Sequence, residues 1–149
     1  MNFYGYQRRF NAISYSGDLV KELAGRNEKI MKVLIATDSE NKYILQEKLR
    51  ERHSEAEITI SGPVSIEIVP KGNTKGNAMR VVMEKKKLKE NEVAFIGDSY
   101  NDISGFEACK YSFAMSHADE IIKSRAAFVV DTVADAVDTV IKINRENGL

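Results

Sequence analysis

The residues best placed to do chemistry are Gly97-Asp98-Ser99-Tyr100-Asn101-Asp102. They follow at once on Val93-Ala94-Phe95-Ile96, an apolar run without polar alternation. Such a run reads as a strand buried on both faces, as in a parallel sheet. In open α/β sheets, ligands sit beyond the carboxyl ends of these strands. Asp98 and Asp102, four residues apart at that position, can face one hard cation. Mg²⁺ suits them, because it takes oxygen ligands, keeps several waters and uses one or two carboxylates. Gly97 lets the backbone turn sharply, and Asn101 or Asp102 can cap a helix starting near Ile103.

The elements around this loop follow from periodicity. Residues 1–16 show no clear period, although Tyr4, Tyr6 and Phe10 are available to pack. Asp18 is placed to cap a short helix through Leu19, Val20, Leu23 and Ala24, ended by Gly25. Ile30 to Thr37 reads as a strand. Asp38 or Ser39 caps the next helix, which carries Ile44, Leu45 and Leu49 on one face and runs to about Arg52. Ile58 and Ile60, then Val64, Ile66 and Ile68, alternate with polar residues on either side of Ser61-Gly62-Pro63, the pattern of an antiparallel hairpin with one wet face. From Pro70-Lys71-Gly72 onward strands alternate with helices, the signature of a parallel sheet. Thr74 caps a helix through Ala78, Val81, Val82 and Leu88, and the Val93–Ile96 strand follows it. A helix from about Ile103 to Ala108, a strand from Ser112 to Met115 and a helix from Ala118 to Ala126 come next. Phe128 to Val130 is a further buried strand. Asp131 caps a last helix with Val133, Ala136, Val137, Val140 and Ile141 on one stripe. The expected boundary lies near residue 71, with an α+β portion over 1–71 and an α/β portion over 72–149.

Composition narrows the function classes. The chain has 149 residues, 43% of them hydrophobic, so a real core is available. Lys and Arg balance Asp and Glu at 22 against 22, which argues against nucleic acid or an anionic membrane as partner. Lys85-Lys86-Lys87 reads as a solvated helix face. No apolar stretch approaches the length of a membrane span. Cys109 is the one cysteine, which excludes an intramolecular disulfide, fits a reducing cytoplasm and suggests packing rather than catalysis. His53 is expected to be exposed. His117 lies on the same sheet edge as Asp98 if the sheet is parallel, where it could approach the site, and is read first as solvent-facing or helix-capping.

Gly97-Asp98-Ser99-Tyr100-Asn101-Asp102 also resembles the fourth motif, G-D-x-x-N-D, of haloacid dehalogenase superfamily phosphatases in the Cof-type sugar-phosphatase branch. Lys75, within Pro70-Lys71-Gly72-Asn73-Thr74-Lys75-Gly76, resembles that branch's third-motif lysine. Ala114-Met115-Ser116-His117-Ala118 resembles its A-M-x-N-A segment, with His117 where asparagine is usual. The resemblance covers about residues 30 to 140. It implies a partial Rossmann-like core preceded by part of an α+β cap. It implies phosphomonoester hydrolysis of a phosphorylated small molecule through an aspartyl-phosphate. Asp98 becomes a direct Mg²⁺ ligand, Asp102 stands beside or behind it, and Asn101 points toward the phosphate. Lys75 holds a phosphoryl oxygen, where an ammonium offsets charge that builds up during transfer.

One departure outweighs these matches. The family's nucleophile lies in an N-terminal D-x-D-G-T motif, and this sequence contains no Asp-x-Asp. Thr37-Asp38-Ser39-Glu40 ends a strand with an acid but lacks the second aspartate and the Gly-Thr, so a helix cap is the better reading of Asp38. Two expectations follow. The chain is a truncated or split phosphatase, inactive alone, or else a non-catalytic binding or interaction module that kept the fold. The Val93–Ile96 strand, without its family neighbour, is an edge to be covered by the N-terminal segment with Tyr4, Tyr6 and Phe10, by a separate N-terminal half, or by a homodimer partner, the last being favoured for the chain on its own.

Overall fold

The computed structural model describes Lys21 and residues 30–148. The expected contributions of Tyr4, Tyr6 and Phe10, and the expected helix after Asp18, lie outside the described residues apart from Lys21.

The first sheet is antiparallel, with strands β1 (Val33–Ala36), β2 (Ala56–Gly62) and β3 (Ser65–Pro70) in the order β1-β3-β2. Ile58 pairs with Ile68 and Ile60 with Ile66, so the alternating isoleucines share one face. That face is closed by helix α1 (Lys42–Arg52) through Leu45 and Leu49, one turn apart. Ile44, expected on the same stripe, is exposed instead. The helix is fastened to the sheet at one carbonyl: Gln46 Nε2 and Arg50 Nε and Nη2 all donate to Ile58 O, at 2.9, 3.1 and 2.8 Å. The expected cap differs in detail. Asp38 Oδ1 accepts from the backbone N–H of Glu40 and Asn41, at 3.1 and 2.7 Å, which holds a turn ahead of the helix rather than its first residue. Val64 belongs to the hairpin turn with Pro63, not to the strand.

The second sheet is parallel. Strands β4 (Ala94–Gly97), β5 (Tyr111–Met115) and β6 (Phe128–Val130) lie in that order. Helices α2 (Lys75–Lys86), α3 (Ile103–Phe106), α4 (Glu120–Lys123) and α5 (Val133–Glu146) connect and flank the strands. Strand β5 is central, and its successive residues feed two cores. Ala114 joins Phe106, Ala118 and Ile122 on one side, and Phe113 joins Val130 and Ala136 on the other. The chain is thus α/β, with an antiparallel and a parallel sheet on either side of Lys71.

Several boundaries differ from expectation, β1 among them, which occupies Val33–Ala36 of the expected 30–37 span. Helix α5 is capped by Thr132, not Asp131: Thr132 Oγ1 accepts from Asp135 N, and Asp135 returns the bond to Thr132 N. This reciprocal box satisfies two orphan donors where Asp131 would satisfy one. Helix α4 occupies only Glu120–Lys123 of the expected 118–126 span. Residues 100–102 form a 3₁₀ turn ahead of α3. Among the described residues β4 pairs on one side only, with β5, and Ala94 is exposed. No helix of the described residues is long and apolar enough to cross a membrane.

Candidate active site

Asp102 is the centre of the loop after β4. Its side chain is 4% exposed. Oδ2 accepts from the backbone N–H of Asp98 and of Ser99, at 3.0 and 2.9 Å, and so folds the loop back on itself. Oδ1 takes the ammonium of Lys75. Gly97 permits this closure: a Cβ there would lie 2.5 Å from Asp102 Cγ. Of the two places expected for Asp102, the structure has it behind Asp98, not beside it.

Lys75 arrives at this junction through the start of α2. Thr74 caps that helix as expected, its Oγ1 accepting from Asn77 N at 3.1 Å. Gly76 lets the helix start press against α3. A Cβ at Gly76 would lie 2.0 Å from Ser104 O, and Gly76 N donates to Ser104 Oγ at 3.2 Å. Sequence reasoning missed Ser104 and Gly76, since neither carries a signal until the two helices are in contact. Lys75 is 48% exposed, so donors remain for a ligand.

Asp98 stands at the open end of β4, its side chain 56% exposed. Its Oδ2 lies 3.3 Å from His117 Nε2. His117, read from sequence as solvent-facing or capping, is half in that role: it is 65% exposed, yet it meets Asp98. The parallel register that sets β4 beside β5 brings the two loops together.

Two cavities flank the loop. One of about 540 Å³ is lined by Lys75, Asn101, Ser104, Tyr43 and Arg50. The other, about 340 Å³, is lined by Asp98, Ser99, His117 and Lys42. Tyr100 and Ile60 border both. Asn101 Oδ1 is buried without a hydrogen-bond partner. Tyr100 packs against both the isoleucine cluster of the first sheet and the Phe106 cluster of the second. The Tyr43 side chain, then burial and the Asp119 carboxylate, hold its hydroxyl protonated well above the ordinary tyrosine range.

The donor set fits Mg²⁺ as a contributor rather than a cage. Asp98 offers exposed hard oxygen where a cation can reach it. Asp102 is spent on Lys75 and the loop amides. Among the described residues no group of three or more His, Cys, Asp or Glu could hold an ion.

A glycine-turned loop at the carboxyl end of a parallel strand thus carries an exposed acid, with a lysine held behind it, where α/β sheets place their ligands. The sequence profile of haloacid dehalogenase-like hydrolases matches residues 4–143, and the chain belongs to that family. The Bacillus subtilis 5-amino-6-(5-phospho-D-ribitylamino)uracil phosphatase YcsE is 35% identical over 108 residues, covering 70% of this chain and 43% of YcsE. A second B. subtilis phosphatase of the same description, YwtE, is 30% identical over 122 residues, 82% of this chain and 39% of YwtE. This chain therefore spans less than half the length of these relatives. The solved structure of a B. subtilis haloacid dehalogenase-like hydrolase superposes with a TM-score of 0.66 at 29% identity, over 73% of this chain and 39% of that one. A Streptococcus mutans protein superposes with a TM-score of 0.74 at 20% identity, over 93% of this chain and 65% of that one, a likeness of fold.

Proposed function

We propose that this chain carries the phosphate- and cation-handling portion of a Mg²⁺-dependent phosphomonoester hydrolase for sugar-phosphate-like substrates, and that it needs an aspartyl nucleophile from outside itself. The observation that carries the reading is the Lys75–Asp102 junction, which anchors a lysine behind an exposed Asp98. In this reading Asp98 is the Mg²⁺ ligand, and Mg²⁺ when bound supplies Lewis-acid stabilisation of phosphoryl charge. Lys75 donates to a phosphoryl oxygen. Asp102 holds the lysine in place and shapes the loop, so its part is positioning rather than direct metal binding. Asn101 lines the cavity on the phosphate side.

Residues 1–71 then correspond to part of a cap and 72–149 to the later part of the catalytic core. Loss of a nucleophile from a covalent mechanism costs on the order of a millionfold in turnover. The Cys109 thiol, free and buried, suits a reducing compartment such as the cytoplasm. The partner that completes the β4 edge is a second copy of the chain or a separate polypeptide bearing the Asp-x-Asp strand.

The test is a phosphatase assay with Mg²⁺ on the purified chain, alone and with an Asp-x-Asp-bearing N-terminal half. The chain alone should show no appreciable turnover. Turnover near ordinary enzyme values, about 10 s⁻¹, abolished by Asp98→Ala, would overturn the dependence on an outside nucleophile. No turnover in either arm would favour a non-catalytic binding module.

A further inference from the structure

The chain has two histidines, His53 and His117. His117 stands at the carboxyl edge of the parallel sheet. It follows the end of β5, Asp98 follows the end of β4, and the register that pairs Gly97 with Ala114 sets the two loops side by side. His117 Nε2 lies 3.3 Å from Asp98 Oδ2, and both side chains are more than half exposed. Both line the cavity of about 340 Å³. Among the described residues neither side chain has another hydrogen-bond or ion-pair partner. A charge-assisted bond between a ring nitrogen and a carboxylate is shorter, about 2.7–2.9 Å. Nitrogen and oxygen ligands of Zn²⁺ stand about 2.0–2.2 Å from the ion, which puts two of them roughly 3.0–3.4 Å apart between a right angle and a tetrahedral one. The observed separation falls in that range.

Such a pair selects ions differently from two carboxylates. Mg²⁺ favours oxygen ligands, whereas Zn²⁺ and Ni²⁺ accept an imidazole nitrogen as well. We propose that Asp98 and His117 form a nitrogen–oxygen half-site for a transition dication, which they hold more tightly than Mg²⁺, with the other positions left to water and to the substrate phosphate. The proposal rests on Asp98 being the cation ligand of the phosphatase reading, and it adds His117 as a specificity-determining residue for the ion. Mg²⁺ enters the same place through Asp98 alone. His53 meets Glu55 at the same 3.3 Å, but the two are near neighbours in sequence just past α1, where no parallel strand delivers a second loop. That pair is the internal control.

Calorimetry on the full chain, purified without a histidine tag, tests this with Ni²⁺ and Mg²⁺ as separate titrants. Wild type should bind Ni²⁺ more tightly than Mg²⁺. His117→Asn keeps a side chain that can hydrogen-bond to Asp98 but lacks the imidazole. It should weaken Ni²⁺ binding by about tenfold or more, at least the effect of losing an outer-shell partner of a metal ligand, and leave Mg²⁺ binding unchanged. His53→Gln should leave both titrations unchanged, and Asp98→Ala should weaken both. Ni²⁺ affinity that survives His117→Asn, or that falls in His53→Gln instead, overturns the proposal. The cation site of the phosphatase reading still stands in that case if Asp98→Ala weakens both ions. Binding of both ions that is indifferent to Asp98→Ala overturns both readings, as does a wild type that binds neither ion.

Discussion

At Asp102 a single buried carboxylate closes two backbone donors and one ammonium. Asp102→Ala strands the N–H groups of Asp98 and Ser99, each costing about 1–3 kcal/mol if left unpaired. The expected loss is roughly 2–4 kcal/mol in urea unfolding. Asp98→Ala, at an exposed position, should stay within about 0.5 kcal/mol of wild type. Equal losses in the two variants would contradict this division of labour. Asp38 offers a second check at this scale. The Asn41 side-chain amide, then its backbone N–H, hold the Asp38 carboxyl below its ordinary value of 3.8. A depressed folded pKa means that the stabilisation is present above the unfolded value and is lost as pH falls through the folded one. An NMR titration should therefore place the Asp38 midpoint below 3.8 and return it toward that value in Asn41→Ala. A midpoint at or above 3.8 in the wild-type protein would show that the turn does not hold the charge.

Between elements, Tyr100 fastens the antiparallel sheet and α1 to the site loop by its ring, which packs in both apolar clusters, and the Tyr43 side chain acts on its hydroxyl. A double-mutant cycle of Tyr43→Phe and Tyr100→Phe should give a coupling of about 0.5–1.5 kcal/mol in unfolding free energy. Strict additivity would mean that the hydroxyls do not meet. This contact also shows where sequence reading stops. The alternation of Ile58, Ile60, Ile66 and Ile68 and the switch to strand–helix alternation after Gly72 were legible, because period alone fixes which face is buried. The Gly97–Asp102 loop was legible as a turn at the carboxyl end of a strand. Asp102's bond to Lys75 and Ser104 behind Gly76 were not, since each depends on elements far apart in the chain, and His117 was legible only as a residue on the same edge as Asp98. Thr132 displaced Asp131 as a cap because Asp135, three residues on, could return its bond. Val64 read as strand because its apolar side chain kept the alternation, while Pro63 before it set a turn.

For the whole molecule, two features stand open among the described residues: a β4 edge paired on one side, and valines exposed on α2 and α5. The chain alone is expected to form a homodimer burying more than about 1,000 Å². Light scattering that finds a monomer at micromolar concentration, with β4 open to solvent, would contradict that. The central claim is that Lys75 and Asp98 together handle phosphate and its cation. Titration of inorganic phosphate into the full chain with Mg²⁺, by calorimetry, tests it most directly. Binding should weaken by about tenfold or more in Lys75→Ala, as for a lost charge-assisted hydrogen bond. In Asp98→Ala the enhancement by Mg²⁺ should vanish, while Lys75→Ala leaves the affinity for Mg²⁺ alone unchanged. Phosphate binding that is indifferent to both substitutions would contradict the account.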